Sequence, residues 1–368
     1  MERDMTTPKL PLASKPVPDT GPATIAAVAS RAGVSIATVS RVMNGIAKKA
    51  SSETIERVRL AVDELGYRPG SAGRTLRHGK SRLVAVLAAN MANPTMAAIA
   101  ATAESAFRER GLVMVLCDTH DRADLQDEYL LEMRAQRARV TVLLGAVKSA
   151  GLTQMYSRGE PLLFVNRRSP DDLAAPFVGI DNYAAATEVA EALGKATLGP
   201  LALLHGHTWS SATGARIDGF MRRAHELGRP VAEDHIFGGG GDHLDIGYRG
   251  ADALLKTSPR PKAIFCTSDL MAYGVHRRLS EAGISVPRDM VVCGFDDNPL
   301  NDWVAPWLWS VRVPYAAFGP AISEAALAVS DKSDVAPCLV LPHALVRRSG
   351  LERVGAKSAN EPGAGLSS

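Results

Sequence analysis

Apolar positions along the chain keep two different rhythms, and the change falls near residue 83. From Thr24 to Tyr67 they recur at helical spacing: Ile25, Val28 and Ala29 share one face, Val39, Val42 and Met43 a second, and Ile55, Val58, Val62 and Leu65 a third. Thr24, Ser35 and Ser51 stand before these runs as helix N-caps, and Gly66 stands at the end of the last one. Gly33 gives the backbone the freedom a sharp turn needs, with Val34 placed to plug the angle. The pattern predicts two short helices joined by a tight turn, then a third helix. On the second helix Ile36, Ala37, Thr38, Ser40 and Arg41 are left facing away from the apolar side.

From Leu83 onward, short β-branched runs alternate with helical patterns. Strands are expected at 83–89, 113–119, 140–146, 161–167 and 177–181, and in a second set at 200–206, 235–238, 263–269 and 290–296, with helices between them. Such alternation demands parallel sheets covered by helices on both faces. Two consecutive sets imply two doubly wound subdomains, with ligand held between the C-terminal ends of strands. The run 307–313 and the helix 315–329 are expected to return to the first subdomain, and 338–348 to the second.

Composition sharpens this outline. A chain of 368 residues with 46% hydrophobic content has room for a small domain and a large core. No apolar run approaches the roughly 18 residues of a membrane helix. The first 22 residues lack an apolar signal core and read as a polar, proline-containing arm, so a cytoplasmic protein is expected. The 42 basic and 39 acidic residues are unevenly spread: 11 and 4 of them fall in 24–82, a net of +7, leaving 31 and 35 elsewhere, a net of −4. Positive charge is therefore concentrated where a polyanion would be met. Cys117, Cys266, Cys293 and Cys338 form no CxxC pair and sit in strand-like runs, which implies free thiols and neither zinc nor disulfides.

A helix–turn–helix whose second helix presents hydroxyls and an arginine suits a DNA major groove. Thr38 and Ser40 can donate to phosphates, and Arg41 can reach a phosphate or a guanine edge. Spacing alone also fits a plain αα-hairpin within a larger helical core. The segments AGVSIATVSRVMNG, ELGYRP and RTLRHGKSR remove much of that ambiguity, because residues 24–82 resemble the DNA-binding headpiece and hinge of the lactose-repressor (LacI/GalR) family. The resemblance extends through the core to about Val354, where it implies a type I periplasmic-binding-protein fold. The expected boundaries are an arm at 1–22, a headpiece at 23–67, a hinge at 68–82, a core at 83–354 and a tail at 355–368. Within the core, one subdomain takes 83–181 and 310–329, the other 182–309 and 330–354.

The family resemblance also carries roles onto matching positions. It implies a homodimer on a pseudo-palindromic double-stranded DNA operator, contacted by Thr24, Ser35, Ile36, Ala37, Thr38, Ser40, Arg41 and Asn44. In the hinge, Leu76 matches a residue that wedges into the minor groove, with Arg74 and Arg77 beside it for phosphates. Gly70 and Gly73 stand where the family usually has asparagine and alanine, which makes ordering of this hinge more costly. A linker that never orders has the same composition.

For a small-molecule effector, the resemblance points to Asn93, Thr95, Met96, Asn166, Arg216, His243, Ser268 and Asp296. Thr95 and Met96 replace aromatics of the usual NPFF turn, so stacking on a sugar ring is not supplied there. Arg216 offers a planar fork for hydroxyls or carboxylates, and Asp296 an acceptor for hydroxyls. For Asn166, Ser268 and His243, strand-end capping is an equal alternative. The Gly238–Gly241 run lacks the spacing of a phosphate loop. Trp303, Trp307 and Trp309 fit either an aromatic wall or the packing of the subdomain seam.

The expected function is therefore a transcriptional repressor controlled by a sugar or sugar acid, with no cofactor, no metal, no catalytic residue and no membrane association. A corepressor-type regulator responding to a non-sugar metabolite is the alternative. An α/β enzyme with a DNA-binding appendage lacks a nucleotide fingerprint, a nucleophile elbow or an acid–base pair, and a transport-type binding protein lacks a signal peptide.

Overall fold

The structure is a computed structural model. It describes residues 23–46, 50–68, 81–170, 173–332 and 338–348. The expected arm, residues 69–80 of the hinge and the expected tail lie outside the described residues. The chain divides into two compact units at the Lys80–Ser81 boundary.

In the first unit, α1 (Ile25–Ala32) and α2 (Ile36–Met43) meet at 102°, within the range of helix–turn–helix pairs. Gly33 makes the corner at φ 65°, in the left-handed region. Each helix starts on a hydroxyl cap: Thr24 Oγ1 accepts from Ala27 N at 3.2 Å and Ser35 Oγ from Thr38 N at 3.1 Å. The third helix, α3 (Ser52–Glu64), starts on Ser51, whose Oγ accepts from Thr54 N at 3.2 Å. Val28, Val39 and Val58, one from each helix, are fully buried together, with Val34, Val42 and Met43 packed around them. Leu65 departs from expectation. It caps α3 and stays 37% exposed, while Tyr67, beyond the left-handed Gly66, packs against the cluster.

The second unit has two six-stranded sheets. The first lobe comprises β1 (Leu83–Ala88), α4 (Pro94–Glu109), β2 (Val113–Asp118), α5 (Ala123–Ala135), β3 (Val140–Leu144), α6 (Ala150–Ser157), β4 (Leu162–Val165) and β5 (Phe177–Ile180). The chain then crosses over. The second lobe comprises α7 (Asn182–Ala196), β6 (Leu201–His205), α8 (Ser211–Glu226), β7 (Ile236–Gly238), α9 (His243–Leu254), β8 (Ala263–Cys266), α10 (Asp269–Glu281), β9 (Val291–Asp296) and the short α11 (Asn301–Val304). β1 shows why both faces must be covered: Val84, Val86 and Ala88 enter one apolar cluster, Ala85 and Leu87 another. α9 and α10 approach until their backbones touch; a Cβ on Gly247 would lie 2.0 Å from the Met271 carbonyl oxygen. Cys266 and Cys293 are buried, Cys117 and Cys338 half-buried, and all four are free.

The C-terminal part corrects the expected division. β10 (Trp309–Arg312) stays in the second sheet, parallel to β9 with Arg312 opposite Asp296. α12 (Tyr315–Ser330) does return to the first lobe, against α4 and β3 to β5. β11 (Cys338–Leu341) is in the first sheet beside β5, not in the second lobe. Only β12 (Ala344–Val346) of that run joins the second sheet, antiparallel to β10. Each run completes whichever sheet edge lies open where the chain passes, and no residue in the runs themselves states which edge that is. The first sheet is ordered β11-β5-β4-β3-β1-β2 and the second β12-β10-β9-β8-β6-β7. Three crossings, near 181, 313 and 342, thus join the lobes. Among the described residues no single helix is long and apolar enough to cross a membrane.

Candidate functional site

Two surfaces carry candidate chemistry. On the first unit, α2 buries Val39 and turns Ile36, at 51% exposure, together with Ala37, Arg41 and Asn44 to the outside. Thr38 and Ser40 are half-buried rather than outward. The Thr38 hydroxyl is shared with Ser35 Oγ at 2.9 Å, and Asn44 Nδ2 donates to the Ser40 carbonyl, closing the end of the helix. The open face thus presents Ile36, Ala37 and Arg41 above a rim of capping hydroxyls. Arg74, Leu76 and Arg77 lie outside the described residues.

On the second unit, strand ends of both lobes converge on Arg216, which α8 projects inward. Its guanidinium is buried: Nε donates to Asn182 Oδ1 at 2.8 Å, Nη1 to the Thr267 carbonyl at 2.6 Å, and its carbon lies 3.4 Å from the Phe295 ring centre. Burial lowers its pKa from 12.5 to about 10, with Asp296 opposing the fall, so the group stays charged at neutral pH. Asp296 ends β9 at φ 117°, a backbone conformation that side-chain-bearing residues rarely adopt. Its carboxyl pKa is raised to about 6 by burial, against the pull of Arg216 and a hydrogen bond from Thr95.

Thr95 lies 3.2 Å from the Tyr315 hydroxyl, which donates to the Asp296 carbonyl at 2.9 Å. Because α4 belongs to the first lobe and β9 to the second, this chain of groups crosses the cleft. Asn93 is the N-cap of α4, its Oδ1 accepting from Thr95 N at 2.9 Å. His243 Nδ1 pairs with Ser268 Oγ at 2.9 Å, and Ser268 also caps α10. Burial, then the charges of Arg167 and Arg216, lower the His243 pKa and keep the ring neutral. Met96 is 4% exposed within the apolar cluster of the first lobe, so it serves as core. Asn166 (φ 65°) lines a neighbouring recess of about 260 Å³ with Asn182 and Ser211. Three tryptophans stand apart from this group: Trp307 stacks on His276 at 3.9 Å, Trp309 donates to the Arg348 carbonyl at 2.9 Å, and Trp303 is 73% exposed.

Several residues of the cleft are not legible from the pattern. Arg167 donates through Nη1 to Asp121 Oδ1 at 2.5 Å and lies 5.1 Å from the Trp209 ring centre, across the cleft. Asp269, buried behind Asp296, accepts from Ser310 Oγ at 2.6 Å, Asn298 N at 2.9 Å and Asn301 Nδ2 at 2.8 Å. Burial and the nearby Asp296 charge raise its pKa to about 7. The one available signal is position, since Asp121, Arg167 and Asp269 each lie two or three residues past a strand end.

A helix–turn–helix reader joined in one chain to a two-lobed core with a polar cleft is the arrangement of a DNA-binding regulator that responds to a small molecule. Residues 24–70 match the bacterial regulatory proteins of the lacI family, and residues 80–298 match the periplasmic binding proteins and sugar binding domain of the LacI family. The chain belongs to the LacI family and is a DNA-binding transcriptional repressor, not an enzyme. It is 29% identical over 330 residues to the HTH-type transcriptional repressor PurR of Vibrio atlanticus, covering 89% of this chain and 98% of the relative. It is 31% identical over 299 residues to PurR of Vibrio parahaemolyticus, covering 81% and 89%. In fold it is similar to the lac repressor dimer bound to operator and the anti-inducer ONPF, with a TM-score of 0.77 at 24% identity, covering 89% of this chain and 98% of that one.

Proposed function

We propose that this chain represses transcription as a cytoplasmic homodimer on a pseudo-palindromic operator, and that a sugar or sugar acid bound between the lobes controls it. Ile36, Ala37 and Arg41 read base edges in the major groove, while Thr24, Ser35, Thr38, Ser40 and Asn44 fix the helix on phosphates. Leu76 wedges into the minor groove, with Arg74 and Arg77 beside it on phosphates. Effector hydroxyls meet Arg216, Asp296, His243 and Thr95, with Asn93, Asn166 and Ser268 holding the surrounding loops. Closure of the lobes changes whether the hinges can order on DNA, a coupling of two sites through a two-state element.

The observation that carries this reading is the exposure of Ile36, Ala37 and Arg41 on a helix whose opposite side is anchored by the fully buried Val39. Selecting duplexes from a random library with the full-length protein tests it. A two-fold-symmetric consensus is expected. Affinity should fall by on the order of a thousandfold or more between 50 and 200 mM salt, as several released phosphate counterions require. Binding without sequence preference overturns the reading.

A second reading, in which a non-sugar metabolite acts as corepressor, draws support from Thr95 and Met96, which offer no ring to stack on a sugar, and from the relatives named PurR. Melting of the protein against sugars, sugar acids and nucleobases separates the two, because a binder raises the transition by mass action.

A further inference from the structure

We propose that the effector is a polyhydroxylated carboxylate, and that its anionic end takes the Arg167 guanidinium away from Asp121. This inference rests on the assignment of the cleft as the effector site.

The cleft holds two guanidiniums from opposite lobes, and they are held differently. Arg216 is locked by Asn182 Oδ1, the Thr267 carbonyl and the Phe295 ring. Among the described residues Arg167 makes one ion pair, from Nη1 to Asp121 Oδ1 at 2.5 Å, and its guanidinium reaches toward the Trp209 ring of the other lobe. The Arg167 side chain is 14% exposed and that of Asp121 29%, so the pair touches solvent and the aspartate has somewhere to go. A carboxylate offered from within the cleft can present both oxygens to the planar fork, which the single Asp121 contact does not do.

The loop that carries Asp121 is costly in its own right. His120 and Asp121 stand consecutively at φ 51° and 55°, in the left-handed region that side-chain-bearing residues avoid. The turn is held by Asp118, whose Oδ1 accepts from His120 N at 3.0 Å, and by Asp121 N donating to the Ala89 carbonyl at 2.6 Å. Backbone strain is thus spent to aim one carboxylate at Arg167, where it supplies the charge that an acidic ligand would bring. A neutral sugar cannot displace it, since a hydroxyl is a weaker acceptor for a guanidinium than an ionised carboxylate. Hydroxyls remain matched to the rest of the cleft, through the Asp296 carboxyl and the His243 ring nitrogen that does not face Ser268. Arg167 lies close enough to Arg216 and to the neutral His243 ring to disfavour protonation of both, which places the three groups within reach of one ligand.

The test uses the full-length protein, with tryptophan-detected melting in sodium galacturonate, glucuronate and gluconate, against galactose, glucose and sorbitol at matched sodium chloride. At least one carboxylate is expected to raise the transition where its neutral counterpart does not. Arg167→Gln should abolish that shift. Asp121→Asn, which removes the competing charge, should tighten binding of the same acid by about tenfold, or about 1.4 kcal/mol. The proposal falls if the neutral sugars stabilise as well as the acids, if no carboxylate shifts the wild type, or if Asp121→Asn weakens acid binding. Operator binding by the same preparations is read separately: loss of DNA recognition with the acid shift intact would remove the regulator reading and leave the charge exchange standing.

Discussion

Arg216→Met is the substitution in which stability and response should part company. The methionine keeps the stem volume and removes the guanidinium. Lost with it are the bonds to Asn182 and the Thr267 carbonyl, together worth about 3 kcal/mol or somewhat more by the usual value of charged hydrogen bonds. Gained is relief from burying the charge: a fall in pKa from 12.5 to about 10 corresponds to about 3 kcal/mol of unfavourable charge burial, attraction to Asp296 already included. Asp296 is left facing no cation, but its carboxyl is already raised to about 6, so taking up a proton at pH 7 costs about 1.4 kcal/mol at most. The net expectation is a loss of about 1–2 kcal/mol, well below the roughly 3–5 kcal/mol typical of orphaning a buried charge. Urea unfolding followed by tryptophan emission measures it cleanly, because Trp209, Trp303, Trp307 and Trp309 all lie after Ser81 and none reports on the headpiece. With a slope near 3 kcal/mol/M the midpoint should move by about 0.3–0.7 M, while effector-dependent change in operator affinity disappears. A loss of about 4 kcal/mol or more would refute the reasoning, since it would make Arg216 a structural keystone.

Three further outcomes follow from the same geometry. Asp269 and Asp296 bind protons more tightly folded than unfolded, so together they lower stability as pH rises from about 4 to about 7; His243 and His276, held neutral, push the other way. Wild type should therefore lose its advantage over Asp269→Asn as pH climbs from 5 to 7 in urea midpoints, and a constant difference would count against the raised carboxyl. Arg41→Ala should weaken binding to a selected operator by about tenfold to a hundredfold in fluorescence anisotropy, the worth of one base contact; unchanged affinity would take Arg41 out of the reading face. Gly247→Ala places a Cβ 2.0 Å from the Met271 carbonyl oxygen, forcing α9 and α10 apart at a cost of about 1–3 kcal/mol in the same urea assay. A neutral result there would show the two backbones are not in contact.

Local chemistry was readable wherever one residue's conformation decides the outcome. Thr24, Ser35 and Ser51 cap the helices they precede, and Gly33 takes the left-handed corner. The strand–helix alternation likewise carries both sheets, because a strand buried on two faces needs a nearly continuous apolar run. What failed was membership: WLWSVRV and CLVL are apolar runs that either sheet would accept, and the choice depended on which edge lay open. Thr38 and Ser40 face sideways rather than outward, the Thr38 hydroxyl paired with that of the N-cap Ser35 and the Ser40 hydroxyl 3.5 Å from the Asn44 amide nitrogen that closes the helix. Met96 is illegible for a different reason: its neighbour Thr95 reaches the cleft, while Met96 packs inward against Gly145, a contact made by residues some fifty positions away. Asp121 and Arg167 are further apart still in the fold's logic, since their pairing exists only once β2 and β4 lie in one sheet.

The cleft's side chains also suggest how little an effector must contribute to move the lobes. Polar contacts that cross between lobes are separately weak: the Tyr315 hydroxyl to the Asp296 carbonyl at 2.9 Å, Arg167 to Trp209, and the Arg168 backbone N–H to Ser211 Oγ at 2.8 Å. Neutral hydrogen bonds and partly exposed cation–π contacts are each worth about 1 kcal/mol, so these polar contacts add only a few kcal/mol to the apolar cluster that both lobes share. Swinging a two-state element from one side to the other takes about 5.5 kcal/mol of differential binding. A ligand that gained a two-pronged contact to Arg167 and kept Arg216 would supply most of that from two groups on opposite lobes. A ligand touching one lobe alone would bind without favouring either arrangement. On the proposed function, the distribution of positive charge across the cleft, rather than the number of polar residues lining it, is therefore what would let this pocket act as a switch.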